Sequence, residues 1–282
     1  MNKLVLIITL LVLQIVGTFY INQQYPITRL KVEFLNVGQG DAILIETVNK
    51  QHILVDTGRD NRIVEKLVNK LQNFENTIDI LILTHSDNDH IGGLSGVLEN
   101  LKIEKIIFNF ELNKSIKSQQ DLDNLIIQEG SITSKVDAES DFTIDGCEID
   151  FVWPSVESEF LVLSDNDSSI SLQLSYKGFD MFLGGDISTS IEEKIIPLIS
   201  PVEVMKLNHH GSNTGNSAEF LTALNPKIAV ISVGKNNTYH LPNTLVLQRL
   251  QELNIEILRT DNDGDIFCQV TNEQDFNCAS EL

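Results

Sequence analysis

Apolar residues recur along this chain in two rhythms. LKVEFLNV (residues 30–37), AILIET (42–47) and HILVDTG (52–58) concentrate or alternate them over a few positions, with a GQGD turn after the first. That pattern predicts strands. DILILT (79–84) is apolar almost throughout, as in a strand covered on both faces. Residues 61–74 instead space Ile63, Val64, Leu67, Val68 and Leu71 as one helix face. A second helix is predicted at 92–101, a short strand at 105–108, and a third helix at 122–128 in a polar middle stretch. Strands return at 142–144, 148–154, 169–178 and 180–186. Helices at 191–199, 217–225 and 243–254 then alternate with strands at 202–208, 228–233, 255–260 and 265–270. Each half runs from a strand-rich meander into strand–helix alternation. Helices on the outsides of two packed sheets satisfy both patterns, so the fold class is α/β.

The first residues follow a different rule. Lys3 precedes an apolar run from Leu4 to Val16, and extending it to Ile21 gives about 18 residues. The run reads as an N-terminal membrane anchor or a signal peptide over residues 1–24, with the globular domain at 25–282. Either reading exports the domain, inner-membrane anchored and facing outward into the periplasm, or secreted.

Composition narrows the partners. The 282 residues carry 40 acidic and 20 Lys or Arg side chains, a net charge of −20. A protein that coats nucleic acid needs a basic face, so that class is disfavoured, whereas an enzyme meeting phosphate through metal ions is not. The three cysteines, Cys147, Cys268 and Cys278, form no C-x-x-C pair, which disfavours a zinc knuckle. Cys268–Cys278 is the candidate disulfide, with free thiols as the alternative.

Chemistry concentrates where apolar strands end. Four of the six histidines fall in two tight clusters, HSDNDH (85–90) and NHHGS (208–212). FLGGD places Asp186 after a third strand and a glycine pair. Alone, Asp186 would serve equally as a helix cap. With His85, Asp89, His90 and His209 it becomes the expected bridging carboxylate of a two-metal site, because imidazole and carboxylate are the usual ligands of zinc, manganese and iron. His52 reads as structural, Trp153 as core, and Lys206 and Lys235 as solvated lysines.

HSDNDH resembles the H-x-H-x-D-H motif of the metallo-β-lactamase superfamily. FLNVGQGDAILIE, ILVDTG, LTHSDNDHIGGL, NDSSISLQL, FLGGDI, LNHHGS and LRTDNDGDI follow the order and spacing of one branch, the hydrolase domain of the competence protein ComEC and its stand-alone exported relatives. The resemblance implies a four-layer αββα sandwich with the metal site at one edge. It implies His85, Asp87, Asp89, His90, Asp186 and His209 as metal ligands, for one or two divalent ions. Asp56 would orient a ligand or loop from behind, and Gln39 and Asp41 would face the same edge. His210 would be a ligand's neighbour or a substrate contact, and sequence does not separate it from His209. His240, one position away from the family's Y-G-H-P histidine, is a candidate substrate contact or a surface histidine.

Two departures bear on the metal. Asp87 replaces a motif histidine, and SDNDSS stands where a third-motif histidine is usual, so Asp165, Asn166 or Asp167 would stand in. Oxygen donors favour harder ions, which brings manganese, and magnesium as a third candidate, into competition with zinc. The resulting expectation is a metal-dependent hydrolase using a metal-bound hydroxide, most simply a phosphodiesterase or nuclease, with Asp87 or Asp89 holding the nucleophile's proton. Its substrate would be a small-molecule or nucleic-acid phosphodiester, and its membrane contact the N-terminal segment. The alternatives are a lactone, thioester or β-lactam hydrolase, and a non-catalytic exported module binding metal or DNA.

Overall fold

The computed structural model describes residues 29–71, 76–109, 132–135, 141–155 and 163–280, together with Gln14. The N-terminal run and the helix expected at 122–128 lie outside the described residues. Among the described residues no helix is long and apolar enough to cross a membrane.

Among the described residues fifteen strands form two mixed sheets. In the first, β1 (Leu30–Phe34), β2 (Ile43–Glu46), β3 (His52–Val55), β4 (Thr77–Leu83), β5 (Lys102–Phe108) and β6 (Ile132–Lys135) follow chain order. The second holds β7 (Phe142–Ile144), β8 (Cys147–Trp153), β9 (Ser171–Tyr176), β10 (Phe179–Leu183), β11 (Val204–Lys206), β12 (Ile228–Ile231) and β13 (Glu256–Arg259). The chain then returns to the first sheet, where β14 (Ile266–Asn272) pairs with β1 and β15 (Asp275–Ser280) forms the edge. Both sheets are antiparallel where the sequence meanders and parallel where strands and helices alternate, through β3–β4–β5–β6 and β10–β11–β12–β13.

Three apolar layers hold the sandwich together. Leu30, Val32 and Phe34 of β1 meet Leu172 and Leu174 of β9 between the sheets, the period-2 alternation that puts every second side chain on one face. Ile63 and Leu67 of α1 (Arg62–Lys70) and Val97 and Leu98 of a second helix (Leu94–Asn100) cover the first sheet. Helices Thr189–Ile195, Ala218–Leu224 and Thr244–Glu252 cover the second through Ile191, Phe220, Leu224, Val246 and Leu250. The result is the helix–sheet–sheet–helix arrangement expected from the sequence. The predicted 61–74 helix is described only as far as Lys70. Thr260, expected at a strand end, opens a short helix, Thr260–Asp263. β15 had no counterpart in the sequence reading, and its Cys278 lies opposite Cys268 and is disulfide-bonded to it. Cys147 is a buried free thiol.

Phe182 is fully buried beneath the outer helices, its ring edge-on to Phe220 at 5.4 Å. Phe182→Ala should cost about 3–5 kcal/mol of stability, whereas Leu198→Ala, at a 62% exposed position, should stay within about 0.5 kcal/mol. Urea unfolding of the two variants against wild type checks both values.

Candidate metal centre

The charged residues gather where strands of the two sheets end side by side. β3 runs into Asp56, β4 into Thr84 and His85, β10 into Asp186, and β11 into His209 and His210. The Ile170 N–H donates to the Thr84 carbonyl (2.9 Å) and ties the sheets together at this edge. The β1–β2 turn brings in Asp41, whose N–H donates to the Asp89 carbonyl (3.1 Å). That approach requires Gly40: it sits at φ +127, and a Cβ there would lie 2.0 Å from the same carbonyl oxygen.

At the centre stands Asp186. Its Oδ2 lies 3.4 Å from His90 Nε2, 3.6 Å from His210 Nε2, 3.8 Å from His209 Nε2 and 3.9 Å from His85 Nε2. His210 Nε2 is also 3.4 Å from Asp89 Oδ2, and His85 Nε2 is 3.7 Å from Asp87 Oδ2. His85, His90, His210 and Asp186 are buried.

Each of the cluster's three buried histidines is held by its other nitrogen. His90 Nδ1 lies 2.7 Å from Asp56 Oδ2, and His210 Nδ1 lies 2.8 Å from the Ser232 carbonyl, so both donate. Thr84 donates to Asp56 through its N–H (2.8 Å) and its hydroxyl (2.7 Å). That leaves the Thr84 oxygen to accept from His85 Nδ1 at 3.0 Å. In the neutral imidazole, with the proton on Nδ1, each Nε2 carries a lone pair. All three Nε2 atoms are buried without a hydrogen-bond partner, as is Asp186 Oδ1. Buried polar atoms normally find partners, and this set converges. The ligand atoms of His85, His90 and Asp186, of Asp89, His90 and His210, and of Asp41, Asp186 and His210 each lie within 4.8 Å of one another. The donor set fits divalent cations.

The HHGS loop is built to hold this geometry. His209 and His210 have φ of 48° and 53°, a region costly for non-glycine residues. Buried Glu192 accepts from Asn208 Nδ2 (2.7 Å), the Asn216 N–H (2.5 Å) and the Ser217 N–H (3.0 Å). Asn216 in turn exchanges hydrogen bonds with the Asn208 backbone at 2.9 Å. The turn sends the two histidines apart. His210 enters the buried cluster, while His209, 29% exposed at its side chain, stays at the mouth near Thr214 (3.2 Å) and Asn166 (3.5 Å).

Lys206 does not follow the solvated reading. It is 1% exposed, ion-paired with Asp41, 3.9 Å from Asp186 Oδ1, and donates to the Gly185 carbonyl. Burial opposes its charge, but Asp41 and Asp186 outweigh it and hold the ammonium protonated. Its place in the run VMK, in step with buried Val204, is the signal that pointed inward. Burial likewise favours neutral carboxyls at Asp41 and Asp186, yet both are held well below the carboxylate range, Asp41 chiefly by Lys206 and Asp186 chiefly by His90 and His210. Asp89 is brought down to about 2 against burial, by the neighbouring imidazoles of His210, 3.4 Å away, and His90. Asp87 is lowered chiefly by the neighbouring His85 imidazole, 3.7 Å away. With burial opposing and Asp186 and Asp41 outweighing it, His210 is pushed up to about 9.

The remaining candidates lie outside the cluster. Gln39 is buried and accepts from the Gly234 N–H. His240 is exposed on the neighbouring loop. Asp165 is exposed, and Asp167 accepts from the Ser188 N–H, so neither enters the His–Asp groupings. His52 is buried beside Glu46 (3.5 Å), and Trp153 belongs to the core.

Comparison with known proteins matches this architecture. Residues 35–235 match the family model of the metallo-beta-lactamase superfamily. The chain is 29% identical over 255 residues to ComE operon protein 3 of Bacillus subtilis, covering 84% of this chain and 32% of that protein. It is 31% identical over 249 residues to Competence protein ComA of Neisseria gonorrhoeae, covering 87% and 33%. The chain thus spans about a third of the length of these curated relatives. Among solved structures, the metallo-beta-lactamase fold protein YhfI from Bacillus subtilis superposes with a TM-score of 0.56 at 11% identity, over 82% of this chain and 96% of that one. Fold, clustered ligands and family model agree: the chain belongs to the metallo-beta-lactamase superfamily, whose members are metal-dependent hydrolases.

Proposed function

We propose that this chain is a metal-dependent phosphodiesterase, acting on nucleic-acid or small phosphodiesters. The observation that carries the reading is the mixed donor set around Asp186, three buried imidazoles joined by the carboxylates of Asp87 and Asp89. Such oxygen enrichment suits manganese or magnesium as well as zinc, and suits phosphoryl chemistry. The likeness to two competence proteins supports the same direction.

In this reading His85, Asp87 and Asp186 would hold one cation, and Asp89, His90, His210 and Asp186 a second. Divalent cations bound there would polarise a phosphoryl oxygen and acidify water at neutral pH. The protein's own groups do the rest. Asp56, Thr84 and Ser232 keep the three imidazoles aimed, as outer hydrogen bonds do in metal sites generally. Lys206 fixes Asp41 and faces Asp186 from the buried side. Asp87, 43% exposed at its side chain, stands at the mouth with its carboxylate ionised, placed to accept a proton from the attacking water. His209, also at the mouth, is placed to meet the substrate. Export to an oxidising compartment, through an N-terminal anchor or signal, is part of this reading, supported by the Cys268–Cys278 disulfide.

Purified protein supplied with Mn2+ should hydrolyse bis(p-nitrophenyl) phosphate, and Asp186→Ala should reduce turnover by about 10³-fold or more. Absence of turnover on phosphodiesters across Mn2+, Mg2+ and Zn2+, with hydrolysis of a lactone, thioester or β-lactam instead, would replace the proposed substrate class.

Metal uptake should depend on pH. In the metal-free chain the His210 proton, with its pKa raised from 6.5 to about 9, contributes stability in full below pH 6.5 and loses it as pH rises through 9. Asp89, lowered from 3.8 to about 2, contributes above its ordinary value and loses that contribution as pH falls through 2. The chelated protein should therefore melt lower at pH 9 than at pH 6. A cation must displace the His210 proton and that of His90, which Asp186 and Asp56 hold on well above the usual range against burial, so apparent affinity should rise at least about tenfold per pH unit over 6.5–9. Calorimetric titration in buffers of different ionisation enthalpy checks the proton release, and a flat affinity over that range contradicts the assignment of His210.

A further inference from the structure

A second site adjoins the metal centre. Gly38, Gln39, Arg59, Arg62, Lys235 and Tyr239 line a cavity of about 370 Å³. No aspartate or glutamate lines it, although acidic residues outnumber basic ones 40 to 20 in the chain. Arg59 and Lys235 are exposed, and neither makes an ion pair among the described residues. Arg62 is anchored by Asp60 through Nε (2.9 Å) and Nη2 (2.8 Å), which turns its Nη1 towards Gly38. Tyr239 stands at the rim, 61% exposed.

Short connections join this cavity to the metal cluster. Gln39 lies two residues before Asp41, and Arg59 follows Gly58, whose N–H donates to the Asp41 carbonyl (2.7 Å). The Gly234 N–H donates to Gln39 Oε1 (3.2 Å) and closes the floor. A Cβ on Gly234 would lie 2.6 Å from the Gln39 nitrogen, so only glycine lets the two loops meet. The cavity is thus the cationic neighbour of a centre that is itself rich in carboxylates.

We infer that this cavity is a subsite for a nucleotide flanking the scissile phosphodiester of a single nucleic-acid strand. Arg59, Arg62 and Lys235 take the flanking phosphate, and Tyr239 stacks on its base. The unpaired Arg59 and Lys235 and the free Nη1 edge of Arg62 suit a phosphate oxygen, and an exposed aromatic accepts any base by its face. A binding patch of this size also reconciles strand binding with a chain of net charge −20, because the cations are local to the groove rather than spread over the surface.

The inference rests on the phosphodiesterase reading, and two measurements separate their failures. In an Asp186→Asn background, anisotropy of a fluorescein-labelled oligothymidylate measures binding without turnover. Arg59→Ala/Lys235→Ala should lower the slope of log affinity against log salt by up to about 0.7, the value for one phosphate on a single strand. Tyr239→Ala should weaken binding by roughly tenfold with the slope unchanged. With active enzyme, the double substitution should lower kcat/KM for the oligonucleotide relative to bis(p-nitrophenyl) phosphate by about tenfold. Binding and salt slope equal to the parent in both variants overturn the subsite even if both substrates are cleaved. Failure of wild type to cleave either substrate overturns the phosphodiesterase reading and with it the scissile-bond subsite, and a lowered salt slope in the double variant then establishes only that the cavity binds a strand.

Discussion

One carboxylate oxygen organises the functional edge of this molecule. Asp186 Oδ2 lies within 3.9 Å of four imidazole nitrogens that arrive from both sheets. Burying so many polar atoms with their lone pairs converging is unfavourable unless something positive meets them. Lys206 supplies a single charge from one side. The carboxylates of Asp41, Asp56, Asp87, Asp89 and Asp186 outnumber it, and the balance calls for divalent cations. The fold is arranged around that demand. Strand ends bring the ligands in, the sheet-to-sheet hydrogen bond at Thr84 fixes their spacing, and the apolar layers behind them keep the edge from relaxing.

The geometry also separates rigid from accessible parts. His85, His90 and His210 are buried and individually held through Nδ1, to Thr84, Asp56 and Ser232. Asp87, Asp89 and His209 face the opening, with side-chain exposures of 43%, 25% and 29%. Fixed ligands beneath and ionised, partly solvated groups above are what a hydrolytic site needs, because the proton must leave towards water while the charge-stabilising groups stay in place. The basic cavity beyond the Gly38–Asp41 turn extends the same surface away from the acidic centre.

Much of this was legible in the sequence. Apolar runs predicted the strands and the two covered sheets, because parallel strands buried on both faces cannot conceal their composition. The clusters HSDNDH and NHHGS and the strand-end Asp186 stood out because a chain seldom ends an apolar strand in several ionisable groups without purpose. Other features depended on long-range geometry. Lys206 read as solvated, since a lysine's default is water, and only the pairing of β11 with β10 and β12 places it beside Asp41. His209 and His210 are adjacent in sequence, and a left-handed turn clamped by Asn216 and Glu192 decides which enters the cluster. The third-motif position was open among three residues. Asn166 is the one that reaches towards the site, at His209, while Asp165 and Asp167 turn away. β15 has too short an alternation to be read alone and is recognisable by its register against β14.

The whole arrangement depends on the Asp186 cluster holding divalent cations. Elemental analysis of the purified chain after equilibration with Mn2+, Zn2+ and Mg2+ and removal of free ions tests it most directly, with Asp186→Asn treated in parallel. The wild-type chain should retain one or two equivalents of a divalent metal, with a clear loss in the variant. A folded wild-type chain that retains no divalent metal, or a variant that retains as much as wild type, would contradict it.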